Sequence, residues 1–136
     1  MKPFPLYRNL VLCGEITSST INTIINKIMD INYDDDLKCD EYRDWEREPI
    51  YLFISSCGGD AYDAMALYDV VKQSKTPVYT VALGQCMSAA LWIFTAGARR
   101  ITGENATFMF HDVKTWVNDK SAGLHQELEE SLRLSQ

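Results

Sequence analysis

The stretch Ile50–Ser55 has the sequence Ile-Tyr-Leu-Phe-Ile-Ser and is soon followed by Gly58-Gly59. A continuous apolar run of this kind is typical of a strand that is buried on both faces of a parallel sheet. Apolar residues then recur at helical spacing over residues 60–73, and Thr76-Pro77 separates this helix from a second apolar run, Val78–Leu83. Strands that alternate with helices predict an α/β domain with a mostly parallel sheet.

The segments before this stretch extend the same alternation. Asn9–Cys13 is a short apolar run and is predicted to be the first strand, ending at Gly14. A helix is predicted from about Thr17, because isoleucines recur after it at helical spacing. Tyr33–Glu48 then contains eight acidic and three basic residues. We expect a solvated loop or a short charged helix there, and an exposed insertion is favoured over a surface that docks a partner.

The segments after Leu83 complete the expected fold. Ser88–Ala96 predicts a short apolar helix that is closed at Gly97, and Ala106–His111 predicts a third strand. An amphipathic helix is expected over Ser121–Leu134, where leucines recur every fourth residue.

The composition is that of one ordinary globular domain. The chain has 136 residues, and its net charge of −6 argues against nucleic-acid binding. Its longest apolar stretch, Ala89–Ala98, is too short to span a bilayer, and its start lacks the apolar core of a signal peptide. The four cysteines form no metal-binding pattern and are expected to be free thiols in a reducing compartment, which favours the cytoplasm; they are Cys13, Cys39, Cys57 and Cys86.

A serine follows the second predicted strand at the start of a helix. The sequence Gly84-Gln-Cys-Met-Ser88 predicts a strand, a tight turn and a hydroxyl that is lifted clear of the sheet. Backbone N–H groups at the helix start, that of Ala89 among them, are placed to bind a developing oxyanion. The alternative is that Ser88 only caps the helix, which is the commoner role of serine at this position. The Gly-x-Ser-x-Gly pattern of other nucleophile turns is absent.

Two further features are expected at the same edge of the sheet. Gly58-Gly59 lets the backbone approach a ligand closely and offers a second oxyanion donor, although for a pair of glycines taken alone an ordinary strand-to-helix turn is the favoured interpretation. His111 ends an apolar strand at the active-site edge of a parallel sheet, and a core or capping histidine is the competing interpretation. The other histidine, His125, is expected at the surface. Together, and in this order, these features predict a nucleophilic serine with a histidine base.

Four stretches resemble motifs of the Clp-type serine peptidase (ClpP) family. Tyr51–Gly59 is similar to the family's strand that ends in Asn-Ser-Pro-Gly-Gly, and Gly84–Ser88 resembles the Gly-Gln-Ala-Ala-Ser that carries its nucleophile. Thr95–Ala98 matches the end of the following helix, and Met109–His111 is similar to the Met-Ile-His that carries the base. The resemblance covers a single domain from about residue 9 to residue 136, with residues 34–47 as an apparent charged insertion.

The resemblance implies a crotonase-like spiral of ββα units, which in the family assembles into stacked seven-membered rings around a proteolytic chamber. An ATP-driven AAA+ unfoldase feeds unfolded polypeptide into the chamber, and the peptidase subunit needs no metal or organic cofactor. By the same resemblance Ser88 is the nucleophile, His111 is the general base, and the N–H groups of Gly59 and Ala89 form the oxyanion hole. Substrate would lie extended beside Gly58-Gly59 as an added strand.

The sequence departs from the family pattern at several positions. Cys57 replaces the usual proline, and Cys86-Met87 replaces two alanines. The family's catalytic aspartate comes later than the last residue of this sequence, so we expect a chain that is truncated relative to the family and lacks the triad acid. Asp112, beside His111, should face the opposite side of its strand, and Asp119 is expected to be a surface charge.

Two alternatives to a working serine endopeptidase remain. The first is a catalytically weak or inactive subunit with a role in assembly or regulation, for which the missing acid is the argument. The second is an acyl-CoA enzyme of the crotonase fold, which shares the paired N–H oxyanion hole. Ser88 and His111 argue against the second, because that chemistry normally uses carboxylates.

Overall fold

The computed structural model describes residues 8–111. In this part of the chain five strands and three helices follow one another as strand-helix pairs, with two strands in succession at the end. The strands are β1 (Asn9–Ile16), β2 (Ile50–Gly59), β3 (Val78–Met87), β4 (Arg99–Thr102) and β5 (Thr107–Met109), and the helices are α1 (Ser18–Glu41), α2 (Ala61–Gln73) and α3 (Ala89–Thr95).

The described strands form one sheet in which every pairing is parallel. Their order is β1-β2-β3-β4, and β3 has a further partner in β5. The first part of β3 pairs with β4, whereas its last three residues, Gln85–Met87, pair with Thr107–Met109 of β5. The prediction of an α/β fold with a mostly parallel sheet is therefore confirmed. The carboxyl ends of β2, β3 and β5 meet at one edge of this sheet.

The hydrophobic core lies on one face of the sheet, where all three helices pack. Side chains of β2 alternate between the faces, so Ile50, Leu52 and Ile54 are fully buried in the core while Tyr51 and Phe53 are half-buried on the other side. The prediction that this strand is buried on both faces is wrong, because α1, α2 and α3 all contribute to the same cluster of core residues.

Helix α1 is longer than the isoleucine pattern predicts. It begins with a capping box at Thr17, in which Thr17 and Thr20 satisfy each other's backbone N–H groups, and it continues through the acidic segment as far as Glu41. The expectation of a solvated segment is wrong at Asp35, which is fully buried. The buried Arg8 side chain makes this possible, because its guanidinium donates to both carboxylate oxygens of Asp35 at 3.0 and 2.5 Å.

Further hydrogen bonds surround this buried pair. Arg8 also donates to the carbonyl of Glu48, and the Thr76 hydroxyl donates to Asp35 at 2.7 Å. Burial by itself opposes ionisation of Asp35, but the hydrogen bonds from Arg8 and Thr76 outweigh it and hold the pKa of this carboxyl below its usual range. Arg47 in turn contacts Asp36 and the Thr76 hydroxyl. The network ties the second half of α1 to the start of the sheet.

Several predicted boundaries differ from the structure. β3 does not stop at Gly84, which has a φ of 66°, but continues to Met87, because the residues beyond the glycine pair with β5. The short strand β4 is absent from the predictions, since its Arg-Arg-Ile-Thr sequence is exposed and has no apolar run. The third predicted strand, Ala106–His111, is shorter in the structure. The predicted helix over Ser121–Leu134 lies outside the described residues.

Within residues 8–111 no helix combines the length and the apolar character that a membrane crossing requires.

Candidate active site

Ser88 has an unusual backbone conformation between β3 and α3. Its φ is 55° and its ψ is −125°, and it is the only non-glycine residue with a positive φ in the described part of the chain. It occupies the N-cap position of α3, yet its hydroxyl makes no capping hydrogen bond to that helix. The alternative interpretation, in which the Ser88 side chain caps the helix, is therefore wrong. A strained residue of this kind persists only where the surrounding structure holds it in place.

One such restraint connects the serine turn to β5. The N–H of Ser88 donates to the carbonyl of Met109 at 2.8 Å. His111 follows Met109 by two residues and is exposed. Two residues of extended chain span at most about 7 Å, so the Cα of His111 lies within that distance of the Met109 Cα. His111 therefore follows closely after the residue that is bonded to the serine turn, and an interaction between the Ser88 and His111 side chains stays a prediction.

The first glycine of β2's terminal pair lies against the serine turn. Gly58 has a φ of 102°, and a Cβ at this position would lie 2.9 Å from the Ser88 Cβ, 3.0 Å from the Met87 carbonyl oxygen and 3.3 Å from the Ala89 nitrogen. No side chain fits in this space. The absence of a side chain at residue 58 thus lets the backbone of β2 touch the turn that carries the serine.

The second glycine has a different neighbour. A Cβ on Gly59 would collide with the backbone of Ile16, at the end of β1. The N–H of Gly59 belongs to the peptide that directly follows the Gly58 Cα, and Gly58 is the glycine that faces the serine turn. The predicted oxyanion donors, the N–H groups of Gly59 and Ala89, consequently lie on the two segments that meet at Ser88. Their role in catalysis stays a prediction.

Sequence reasoning missed one residue beside these glycines. Ser56 is fully buried in β2, where its hydroxyl donates to the Gly14 carbonyl at 2.6 Å and accepts from the Gly58 N–H at 3.1 Å. The available signal was a small polar residue inside an apolar strand, two positions before a glycine. A buried hydroxyl of this kind needs hydrogen-bond partners, and here both lie in the segments around the candidate site.

The cysteines near the serine differ in environment. Cys86 is fully buried, and this burial raises the pKa of its thiol to about 12, so the thiol stays protonated at neutral pH. Since the thiolate is the nucleophilic form of cysteine, Cys86 acts as a packing residue. Cys57 is exposed, directly before Gly58. All four thiols are free, as predicted.

Among the described residues no group of three or more His, Cys, Asp or Glu side chains is arranged to hold a metal ion. The carboxylate of Asp60, which directly follows Gly59, caps helix α2 by accepting from the N–H of Asp63 at 2.9 Å. Asp112, Asp119 and His125 lie outside the described residues.

Comparison with known proteins now identifies the family. The family model for Clp protease matches residues 5–136. The chain belongs to the Clp protease family. The match covers β1 to β5 and every candidate site residue of this Clp protease chain.

Curated relatives carry the same family name. The chain is 26% identical over 129 residues to the ATP-dependent Clp protease proteolytic subunit of Pleurastrum terricola, with 93% of this chain and 61% of that protein covered. It is 31% identical over 113 residues to the ATP-dependent Clp protease proteolytic subunit 2 of Treponema denticola, with 82% and 52% covered. This Clp protease chain thus spans between half and two thirds of the length of these relatives.

Solved structures show the same fold. ClpP1 from Listeria monocytogenes superposes with a TM-score of 0.79 at 18% identity, over 95% of this chain and 72% of that one. The ClpP protease catalytic domain from Plasmodium falciparum superposes with a TM-score of 0.74 at 23% identity, over 94% of this chain and 66% of that one. The described Clp protease sheet with its three helices is therefore the ClpP fold.

Proposed function

We propose that this chain is a serine endopeptidase subunit of a Clp-type protease, with Ser88 as the nucleophile and His111 as its general base. One observation carries the proposal. Ser88 is held at a positive φ between a strand and a helix, its hydroxyl does not cap that helix, and its N–H is bonded to the strand that leads to His111. A strained serine at a strand-to-helix turn is the arrangement that exposes a nucleophilic hydroxyl in other hydrolases.

The geometry supports the following acylation step. His111 accepts the proton of the Ser88 hydroxyl as the Ser88 Oγ attacks the scissile carbonyl carbon. The carbonyl oxygen becomes an oxyanion, which accepts hydrogen bonds from the N–H groups of Gly59 and Ala89. His111 then gives the proton to the leaving amine, the C–N bond breaks and an acyl-enzyme remains. Water completes the cycle. His111 takes a proton from the water as its oxygen attacks the acyl carbon; the bond between that carbon and the Ser88 Oγ then breaks, the peptide leaves with a new carboxyl group, and His111 returns the proton to the Ser88 Oγ.

The substrate of this reaction would be unfolded polypeptide. An extended peptide can add to the segment around Gly58-Gly59 as a further strand, so that main-chain hydrogen bonds place its scissile carbonyl above Ser88. The curated relatives are proteolytic subunits of ATP-dependent proteases, and by analogy this chain would act in an oligomeric ring beside an ATP-driven unfoldase. The alternative of an acyl-CoA enzyme gains no support from the family match, which is to Clp protease.

A fluorophosphonate probe tests the proposed function directly. Such a probe phosphonylates a serine only when a neighbouring base activates it, so labelling should be found at Ser88 by peptide mass mapping. His111→Ala should slow the labelling strongly, whereas His125→Ala, which changes the chain's other histidine, serves as the control and should leave it unchanged. Equal labelling rates in the wild type and in His111→Ala would show that Ser88 is not activated by His111.

A further inference from the structure

Ser56 lies where β2 changes its register against both neighbouring strands. The pairing with β1 shifts between Cys13 and Glu15, and the pairing with β3 shifts between Ile54 and Ser56. A ladder that is interrupted on both sides leaves backbone groups that must find other partners. The Ser56 hydroxyl supplies such partners, since it donates to the Gly14 carbonyl and accepts from the Gly58 N–H.

The single proton of the hydroxyl fixes the direction of both bonds. Because the proton points to the Gly14 carbonyl at 2.6 Å, a lone pair of the Ser56 Oγ is left to face the Gly58 N–H at 3.1 Å. Ser56 is 0% exposed, and the bond to the Gly58 N–H is buried, whereas the bond to the exposed Gly14 is partly buried. Ser56 thereby links the end of β1 to the glycine segment at the end of β2.

This link reaches the serine turn through one further contact. Gly58, whose N–H is bonded to Ser56, packs so closely against the serine turn that a Cβ added to it would lie 2.9 Å from the Ser88 Cβ. A movement of Gly58 changes the position of the following Gly59 N–H relative to Ser88. Catalytic groups tolerate little misplacement, since a shift of about 1 Å can lower a rate about 100-fold.

We propose that Ser56 is a positioning residue that fixes the Gly58-Gly59 segment against Ser88 and so sets the geometry of the oxyanion donors. Ser56 touches neither substrate nor the reacting atoms and acts through the Gly58 N–H. The catalytic part of this inference rests on the proposed function, whereas the structural part, that Ser56 holds Gly58 in place, does not depend on it.

Ser56→Ala tests the inference, and Ser74→Ala is a matched control. Ser74 also has a hydroxyl that donates to a backbone carbonyl at 2.6 Å, that of Thr76, and accepts one N–H at 2.8 Å, from Asn32. It follows α2 and precedes β3, so it lies at the opposite edge of the sheet. Each variant loses one donated and one accepted hydrogen bond, but only Ser56→Ala loses them beside Ser88.

The first measurement is the concentration dependence of fluorophosphonate labelling on the full chain. A positioning role predicts that Ser56→Ala lowers the limiting rate of labelling about 100-fold while the half-saturating probe concentration stays the same. Ser74→Ala should retain the wild-type limiting rate. A merely destabilising change would reduce the labelled fraction in proportion to the folded population and leave the limiting rate of the folded protein unchanged. Ser56→Cys fills a similar space with a weaker donor and acceptor and should also lower the limiting rate, which covers the case of an alanine variant that does not fold.

The second measurement needs no activity. Hydrogen exchange of the Gly58 amide, followed by NMR, should be slow in the wild type and in Ser74→Ala and clearly faster in Ser56→Ala. Failure of the wild type to label at Ser88 would defeat the proposed function, and the exchange data would still decide whether Ser56 holds Gly58. Unchanged Gly58 exchange together with an unchanged limiting rate in Ser56→Ala would overturn the inference.

Discussion

Replacing Gly58 by alanine tests the contact between β2 and the serine turn, and Gly14 provides a matched control. Both glycines have a positive φ, 102° and 82°, and an L-residue in the left-handed region costs roughly 1–2 kcal/mol at either position. A Cβ at Gly14 would meet nothing within 4 Å. A Cβ at Gly58 would lie 2.9 Å from the Ser88 Cβ and 3.0 Å from the Met87 carbonyl oxygen, which is closer than van der Waals contact.

The difference between the two variants isolates this contact. Forcing a methyl group into packed surroundings typically adds about 1–3 kcal/mol, so Gly58→Ala should lower the free energy of unfolding by that much more than Gly14→Ala. Urea denaturation measures both values. The methyl group should also push the serine turn away from β2, so the rate of fluorophosphonate labelling at Ser88 should fall about 100-fold in Gly58→Ala.

Equal destabilisation by the two alanines, together with a wild-type labelling rate in Gly58→Ala, would refute this reasoning. It would show that the backbone of Gly58 does not pack against the serine turn closely enough to exclude a methyl group. A Gly58→Ala protein that is less stable but labels normally would keep the packing argument and reject the link between Gly58 and the reactivity of Ser88.

Three further predictions concern buried groups. Asp35→Asn should lower the free energy of unfolding by about 3–5 kcal/mol, because the Arg8 guanidinium stays buried without its counter-charge. Asp36→Asn should have a much smaller effect, because Asp36 is half-exposed. Urea denaturation measures the free energy of unfolding of both variants. The lowered pKa of Asp35 means that its ionised form stabilises the fold. This stabilisation is fully present when the pH is above 3.8, the ordinary pKa of the carboxyl, and it is lost as the pH falls through the lower pKa of the folded state. Thermal unfolding measured from pH 5 to pH 2 should therefore show a steeper loss of stability in the wild type than in Asp35→Asn, and parallel curves would contradict this. Finally, the buried Cys86 thiol, whose pKa is raised to about 12, should resist an aromatic disulfide reagent in the native protein at mildly alkaline pH, whereas the exposed Cys57 should react. Mass mapping of the modified peptides measures both rates. Similar rates at the two cysteines would count against the burial of Cys86.

Local patterns predicted the elements whose evidence is contained in a few adjacent residues. The apolar run at Ile50–Ser55 predicted β2, helical spacing predicted α2, and glycines marked the turns that lead to the site. Ser88 and His111 could be placed at one edge of the sheet, because the carboxyl ends of parallel strands lie together. The common position of these two residues is therefore a consequence of strand order and needed no knowledge of their contacts.

Other features depend on residues that are distant in the sequence, and no local pattern could predict them. Asp35 looks like one more charge in an acidic segment, and only Arg8, 27 residues earlier, explains its burial. Serine is a residue type common in turns, so the sequence does not show that Ser56 is buried in a strand. There its hydroxyl donates a hydrogen bond to the carbonyl of Gly14, 42 residues earlier. The positive φ of Ser88 likewise results from the packing of β2 and β5 around the turn and not from the identity of the serine.

The bond between the Ser88 N–H and the Met109 carbonyl also has a consequence for the order in which the molecule is made. The ribosome releases Ser88 before β5, so a nascent chain that has reached residue 100 already contains the serine but not the strand that fixes its N–H. Parallel pairing of this kind is non-local and forms late, since the loop between the partners must close first. The serine turn therefore gains its final geometry only after β5 has docked, so the candidate site is completed only when the chain has been synthesised well beyond the serine itself.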